Sequence, residues 1–155
     1  MNSKRLNIAL VAHDARKNEL IEWCIYNADM LKQHNLFATG TTGELIENIV
    51  ECDNDLLDDC LYQFYKPFEN NVTKLLSGPL GGDQQIGAMI AEGKLDVLIF
   101  FCDNLITQGH QQDVGALTRL ASLYNIAFAT NRTTADMIIT SSLFGNEEYQ
   151  RIIPA

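Results

Sequence analysis

The sequence predicts an α/β fold, a three-layer α/β/α domain around a mainly parallel central sheet. Three observations carry that expectation. Short runs such as Leu6–Ala12 and Leu95–Phe101 are apolar almost without interruption, as strands covered on both faces are. Amphipathic helical patterns alternate with them, which is the order of a parallel sheet joined by helical crossovers. The strand candidates also end in polar or small residues: His13, Thr39–Thr42, Ser77–Asp83, Asp103 and Asn131. In such a sheet those positions share the carboxyl edge, where ligands bind.

Taken in order, Leu6–Ala12 ends in His13-Asp14, and Arg16–Leu31 follows with Leu20, Ile21, Cys24, Ile25 and Leu31 near one stripe. Asp14 is expected to cap that helix and Lys17 to lie in its first turn. A lysine there opposes the helix dipole, which makes sense if an anion joins it, although a solvated surface lysine is the simpler reading. Asn35–Thr39 reads as a strand, and Gly40–Gly43 (GTTG) leads into a helix over Glu44–Val50. Hydroxyls and backbone donors of Thr39, Gly40, Thr41 and Thr42 resemble an anion cradle without the lysine and spacing of a Walker loop. Threonine–glycine caps are common, so this signal is weak alone.

From Glu51 to Asn71 an acidic block precedes Tyr62, Phe64, Tyr65 and Phe68. The spacing of Leu56, Leu57, Cys60, Leu61 and Phe64 predicts a short amphipathic helix in an insertion, with no chemistry of its own. Val72–Leu76 then reaches Ser77–Gln85 (SGPLGGDQQ). Its small residues Ser77, Gly78, Gly81 and Gly82 let backbone approach a ligand and allow positive φ. Asp83 follows at a helix mouth, among unpaired N–H groups. An aspartate after a glycine turn is also an ordinary N-cap. A helix over Gln84–Glu92 leads to Leu95–Phe101, which delivers Asp103; a polar loop with His110 leads to Asp113, an expected cap for Val114–Tyr124. Ile126–Thr130 is a strand, Thr133–Ile139 a helix, and Ile152-Ile153 a final edge strand.

At 155 residues the chain makes one domain, spanning 1–155. A net charge of -9 argues against general binding to nucleic acid or to an anionic membrane. No stretch is long enough to cross a membrane, and no secretory leader is visible. Cys24, Cys52, Cys60 and Cys102 show neither a CxxC pair nor a disulfide framework, so reduced thiols in a cytoplasmic protein are expected. His13, His34 and His110 form no ligand set with them, and no metal is expected. Neither a GxGxxG fingerprint nor an internal repeat occurs.

Val11–Asp14 (VAHD) with Lys17, Ala38–Gly43 (ATGTTG), Ser77–Gln85, Glu92–Phe101 (EGKLDVLIFF) and Ala129–Asn131 (ATN) together resemble the methylglyoxal synthase family, in family order and over nearly the whole chain. The resemblance implies a cytoplasmic homohexamer that converts dihydroxyacetone phosphate to methylglyoxal and inorganic phosphate, with no cofactor. It implies Asp83 as catalytic base, His110 as the substrate-contacting histidine, and Asp103 and Asp113 as further active-site carboxylates. It places substrate and phosphate on His13, Asp14, Lys17, Thr39, Gly40, Thr41, Thr42, Ser77 and Gly78. The chemistry is proton abstraction by a carboxylate, from the phosphate-bearing carbon next to the carbonyl, then loss of phosphate. Donors such as His110 steady the enediolate, while Lys17 and the threonine–glycine donors steady the departing phosphate.

Three departures from the family pattern stand out. The loop DNLITQGHQQDV (Asp103–Val114) lacks the usual prolines, the Glu51–Asn71 connection is longer, and the chain ends at Ile152-Ile153-Pro154-Ala155 where many relatives have a longer tail. The competing reading is a non-catalytic phosphate- or metabolite-sensing domain of the same fold. Such a domain has no need to keep Asp83 and His110.

Overall fold

Strand after strand hands the chain across a single parallel sheet. The computed structural model describes residues 3–53, 63–103 and 110–153, without the side chains at 53, 63 and 110–113. The five strands are β1 (Asn7–Ala12), β2 (Asn35–Thr39), β5 (Val72–Leu75), β6 (Val97–Phe101) and β7 (Ala127–Ala129), ordered β5-β2-β1-β6-β7. Every neighbouring pair is parallel, with Leu10 beside both Ala38 and Ile99.

Side chains alternate across a strand, so a strand buried on both faces feeds two cores. Ile8, Leu10, Ala12, Val97, Ile99 and Phe101 point to one. There they meet α1 (Lys17–Tyr26), α2 (Ala28–Leu31), α3 (Gly40–Glu47) and α6 (Arg132–Thr140) through Leu20, Trp23, Leu31, Ile46 and Ile139. Ala9, Val11, Leu98 and Phe100 point to the other, against Ile86 and Ile90 of α4 (Gly82–Ala91) and Leu117 and Ala121 of α5 (His110–Leu123). The three-layer expectation holds. Each fully buried leucine or isoleucine contributes about 1.5–3 kcal/mol, so these two aliphatic layers dominate the driving force. Trp23, fully buried, donates Nε1–H to Asp136 Oδ1 at 2.8 Å, so its one polar atom is satisfied while it ties α1 to α6.

Several local expectations are corrected. The helix from Arg16 breaks at Asn27, whose backbone leaves the helical region (φ -108°, ψ 22°) and whose side-chain amide donates to the Trp23 carbonyl. Asp14 does not cap it: Asp14–Arg16 is a 3-10 turn entered through His13. α3 starts at Gly40, four residues early, because Thr39 is still extended and Gly40 makes the turn into the helix at φ +52°. α5 starts at His110, so Asp113 lies within the helix and is not its cap. Flanking the acidic insertion, β3 (Glu51–Asp53) and β4 (Gln63–Tyr65) form an antiparallel ribbon, so Phe64 belongs to a strand; the rest of the expected helix, Leu56 to Leu61, lies outside the described residues. Residues 151–153 form no strand. Arg151 instead donates to the carbonyls of Tyr124 at 2.7 Å and Leu95 at 2.9 Å, and Asn125 donates to that of Ile152. No helix among the described residues is long and apolar enough to cross a membrane.

Candidate active site

Strands β1, β2 and β5 end side by side, and the loops leaving them enclose a cleft of about 300 Å³. Its described lining includes His13, Asp14 and Lys17 from the first loop and Thr39, Gly40, Thr41 and Thr42 from the second. Ser77, Gly78 and Asp83 come from the third, with Phe100 of β6 as an apolar wall. Ten expected site residues therefore meet in one place although they are spread through the sequence from 13 to 83.

His13 follows β1 directly. Its N–H donates to the Phe101 carbonyl at 3.2 Å, extending the β1–β6 ladder, and its ring meets Phe100 edge-on at 5.1 Å. The ring nitrogen Nδ1 accepts the main-chain N–H of Asp103 at 2.8 Å, which puts the proton of a neutral ring on Nε2. The 3-10 turn then brings Lys17 round, where Nζ stands 2.6 Å from Asp14 Oδ1 and donates to Thr41 Oγ1 at 3.0 Å.

In the second loop, Gly40 commits its N–H to the Leu76 carbonyl at 3.2 Å, so it is not a ligand donor. Its value is closeness: a Cβ there would stand 3.2 Å from Ser77, and only a residue tolerant of positive φ fits. The first-turn N–H groups of Thr41 and Thr42 have no intrahelical acceptor and carry the positive end of the helix dipole. Thr39 and Thr42 are buried.

The third loop is the most constrained. The Ser77 carbonyl accepts from both Leu80 and Gly82, and Gly81 turns at φ +113°. A Cβ on Gly82 would lie 2.0 Å from the Leu76 carbonyl oxygen, so no other residue fits. Gln85 Oε1 accepts the Leu76 N–H at 2.8 Å and pins the loop to α4. Asp83, second residue of α4, is only 7% exposed. A methyl on Gly78 would come within 3.5 Å of its Oδ2, so the carboxylate lies against the backbone of the glycine turn.

Asp103 reaches this site through its main chain, and its side chain is not among the described lining. The Glu19 carboxylate, hydrogen-bonded to Arg16, holds the proton on that guanidinium, and the charge of Asp103 adds to this more weakly. The side chains of His110 and Asp113 lie outside the described residues; their backbone forms the start of α5. Burial pushes the neighbouring Cys102 thiol up to about 11, against the pull of Arg16, so it stays protonated at neutral pH and is no nucleophile. Gln85 and Phe100 escaped the sequence reading as site residues. Gln85 stands inside the glycine motif, where the second glutamine of the DQQ triplet was the visible signal. Phe100 reads only as core.

Fold and cleft define a class: an open α/β domain with a buried acid and the first turn of a helix lining one cleft at the carboxyl edge of its sheet. A family model described as an MGS-like domain matches residues 66–130. The methylglyoxal synthase of Maridesulfovibrio salexigens is 52% identical over 96% of this chain and 91% of its own length. That of Proteus mirabilis is 49% identical over 94% of this chain and 84% of its own. The crystal structure of methylglyoxal synthase from Elizabethkingia anophelis superposes with a TM-score of 0.78 at 42% identity, covering 99% of this chain and 89% of that one. The chain belongs to the methylglyoxal synthase family.

Proposed function

We propose that this chain is a methylglyoxal synthase, a carbon–oxygen lyase that splits dihydroxyacetone phosphate into methylglyoxal and inorganic phosphate. One observation carries the reading: a buried carboxylate, Asp83, shares a small cleft with Lys17 and the first turn of α3. Base and phosphate donors then line one small cleft, as proton abstraction coupled to phosphate departure needs.

Electron balance places the proton on the hydroxymethyl carbon rather than on the phosphate-bearing carbon expected above. Asp83 takes that proton, the C–H pair becomes the C=C bond of an enediolate, and the former carbonyl oxygen gains the charge. The hydroxymethyl O–H then gives up its proton and becomes an aldehyde. The double bond shifts toward the phosphate-bearing carbon, and the C–O bond breaks with its electrons leaving on phosphate. The resulting enolate takes a proton on carbon to become methylglyoxal. A base at the other carbon would leave the double bond carrying the phosphate, with nothing to expel it.

His13, donating from Nε2, and His110 steady the enediolate oxygens in this scheme. Lys17, Thr39, Thr41, Thr42 and Ser77 hold the phosphate, while Gly40 and Gly78 let the loops approach it. Asp103 acts by orienting His13, with Asp113 near His110. Sequence charge and cysteine usage support a cytoplasmic protein, and family membership supports a homohexamer. Purified protein given dihydroxyacetone phosphate should release methylglyoxal and phosphate in equal amounts, and Asp83→Asn should release both far more slowly. Phosphate binding without turnover would favour the sensing domain.

A further inference from the structure

We propose that Asp14 is an internal competitor for the phosphate subsite, its carboxylate contending with the phosphoryl group for the Lys17 ammonium. The inference rests on the phosphate reading of that subsite and says how tightly it holds. Asp14 Oδ1 stands 2.6 Å from Lys17 Nζ, and the same ammonium donates to Thr41 Oγ1 at 3.0 Å, at the first turn of α3. All three residues line the cleft. A lysine has three N–H donors, so one remains for a ligand while the other two are engaged.

The two partners differ in freedom. The Lys17 side chain is 25% exposed and the Asp14 side chain 92%. The bond to Thr41 keeps the ammonium at the cleft, whereas most of the Asp14 side chain already faces water. A phosphoryl dianion approaching Lys17 therefore meets a like charge that must turn outward. When phosphate leaves, the carboxylate swings back and repays part of the lost interaction. Both substrate and product bear the phosphate, so the competitor weakens both. A purely structural Asp14, favourable in the first turn of a 3-10 segment, would leave phosphate affinity unchanged.

The test is calorimetric titration of inorganic phosphate into the wild type, Asp14→Asn and Lys17→Met, with steady-state kinetics on dihydroxyacetone phosphate. Asp14→Asn should bind phosphate about two- to fivefold more tightly, the range expected when an exposed ion pair is removed. KM should fall by the same factor, and Lys17→Met should weaken both ligands. Phosphate affinity unchanged or weakened in Asp14→Asn, with Lys17→Met still impaired, overturns the competitor alone. Phosphate affinity indifferent to Lys17→Met overturns the phosphate reading of the subsite and the competitor with it. A lower KM without tighter phosphate binding would assign Asp14 to the carbon skeleton and also sink the proposal.

Discussion

The two ends of the sheet carry cavities of opposite character. At the carboxyl edge the cleft of about 300 Å³ is built from loops, glycines, hydroxyls and one buried acid. At the amino edge a larger cavity of about 430 Å³ lies under α6, walled by Leu6, Val97, Ile126, Ile138 and Phe144 with Lys4 and Arg151 at its polar margin. Size does not mark the site. Strand ends at the carboxyl edge open into loops that precede helices, so unpaired N–H groups converge there, whereas the amino edge presents the other ends of the same strands. There the two cations are spent on structure: Lys4 donates to the Tyr149 carbonyl, and Arg151 to those of Leu95 and Tyr124.

The sharpest way to break this contrast is at Asp83. Asp83→Asn should cut kcat by about 10²–10⁴, the range for losing a general base, while thermal stability holds. Loss of folding in place of activity would make Asp83 a structural residue like its amino-edge counterparts. Next is Gly82→Ala, which forces a methyl against the Leu76 carbonyl. A cost of about 1–3 kcal/mol in unfolding free energy is expected from the overpacking, with turnover falling because the loop carries Asp83. Retention of both would mean that the loop relaxes freely.

At the opposite end, Arg151→Met should lower stability by about 1–3 kcal/mol by stranding two carbonyls, and leave KM and kcat unchanged. An altered KM would tie the amino-edge cavity to catalysis. The smallest effect is a pH slope at His34, which is buried beside that cavity and accepts the Leu6 N–H on Nδ1 at 3.0 Å. Burial, helped by Arg5 and opposed by Asp96, holds its pKa below the ordinary 6.5. The unfolded chain therefore takes up this proton first. The contribution of neutral His34 is complete above about pH 6.5 and is lost as pH falls through the lower folded value. Thermal midpoints of wild type and His34→Asn across pH 5–8 should converge at the acid end. Parallel curves would show that His34 does not titrate in that window.

The sheet was legible because a strand buried on both faces writes its burial into consecutive residues, as Leu6–Ala12 and Leu95–Phe101 do. The corrections share a cause. Phe64 fits a helical stripe and lies in a strand because its partner, Cys52, is distant in sequence. Asp113 has the chemistry of a cap, but the helix starts three residues earlier at His110. Ile152 and Ile153 have strand-forming side chains, yet tertiary bonds from Arg151 and Asn125 fix the chain there without a ladder.

By itself the sequence determined the order of the five sheet strands along the chain, the glycine turn before α4 and the acid that follows it, since each depends on neighbours a few residues away. Only the tertiary structure decided that Gly40 spends its N–H on Leu76, that Gln85 pins the glycine loop, and that an amide of Asp103 sets the proton of His13. It also put Lys17 between Asp14 and Thr41. Local periodicity records which face is buried. It cannot record which distant atom shares a hydrogen bond, because that depends on the register of strands brought together only when the sheet closes.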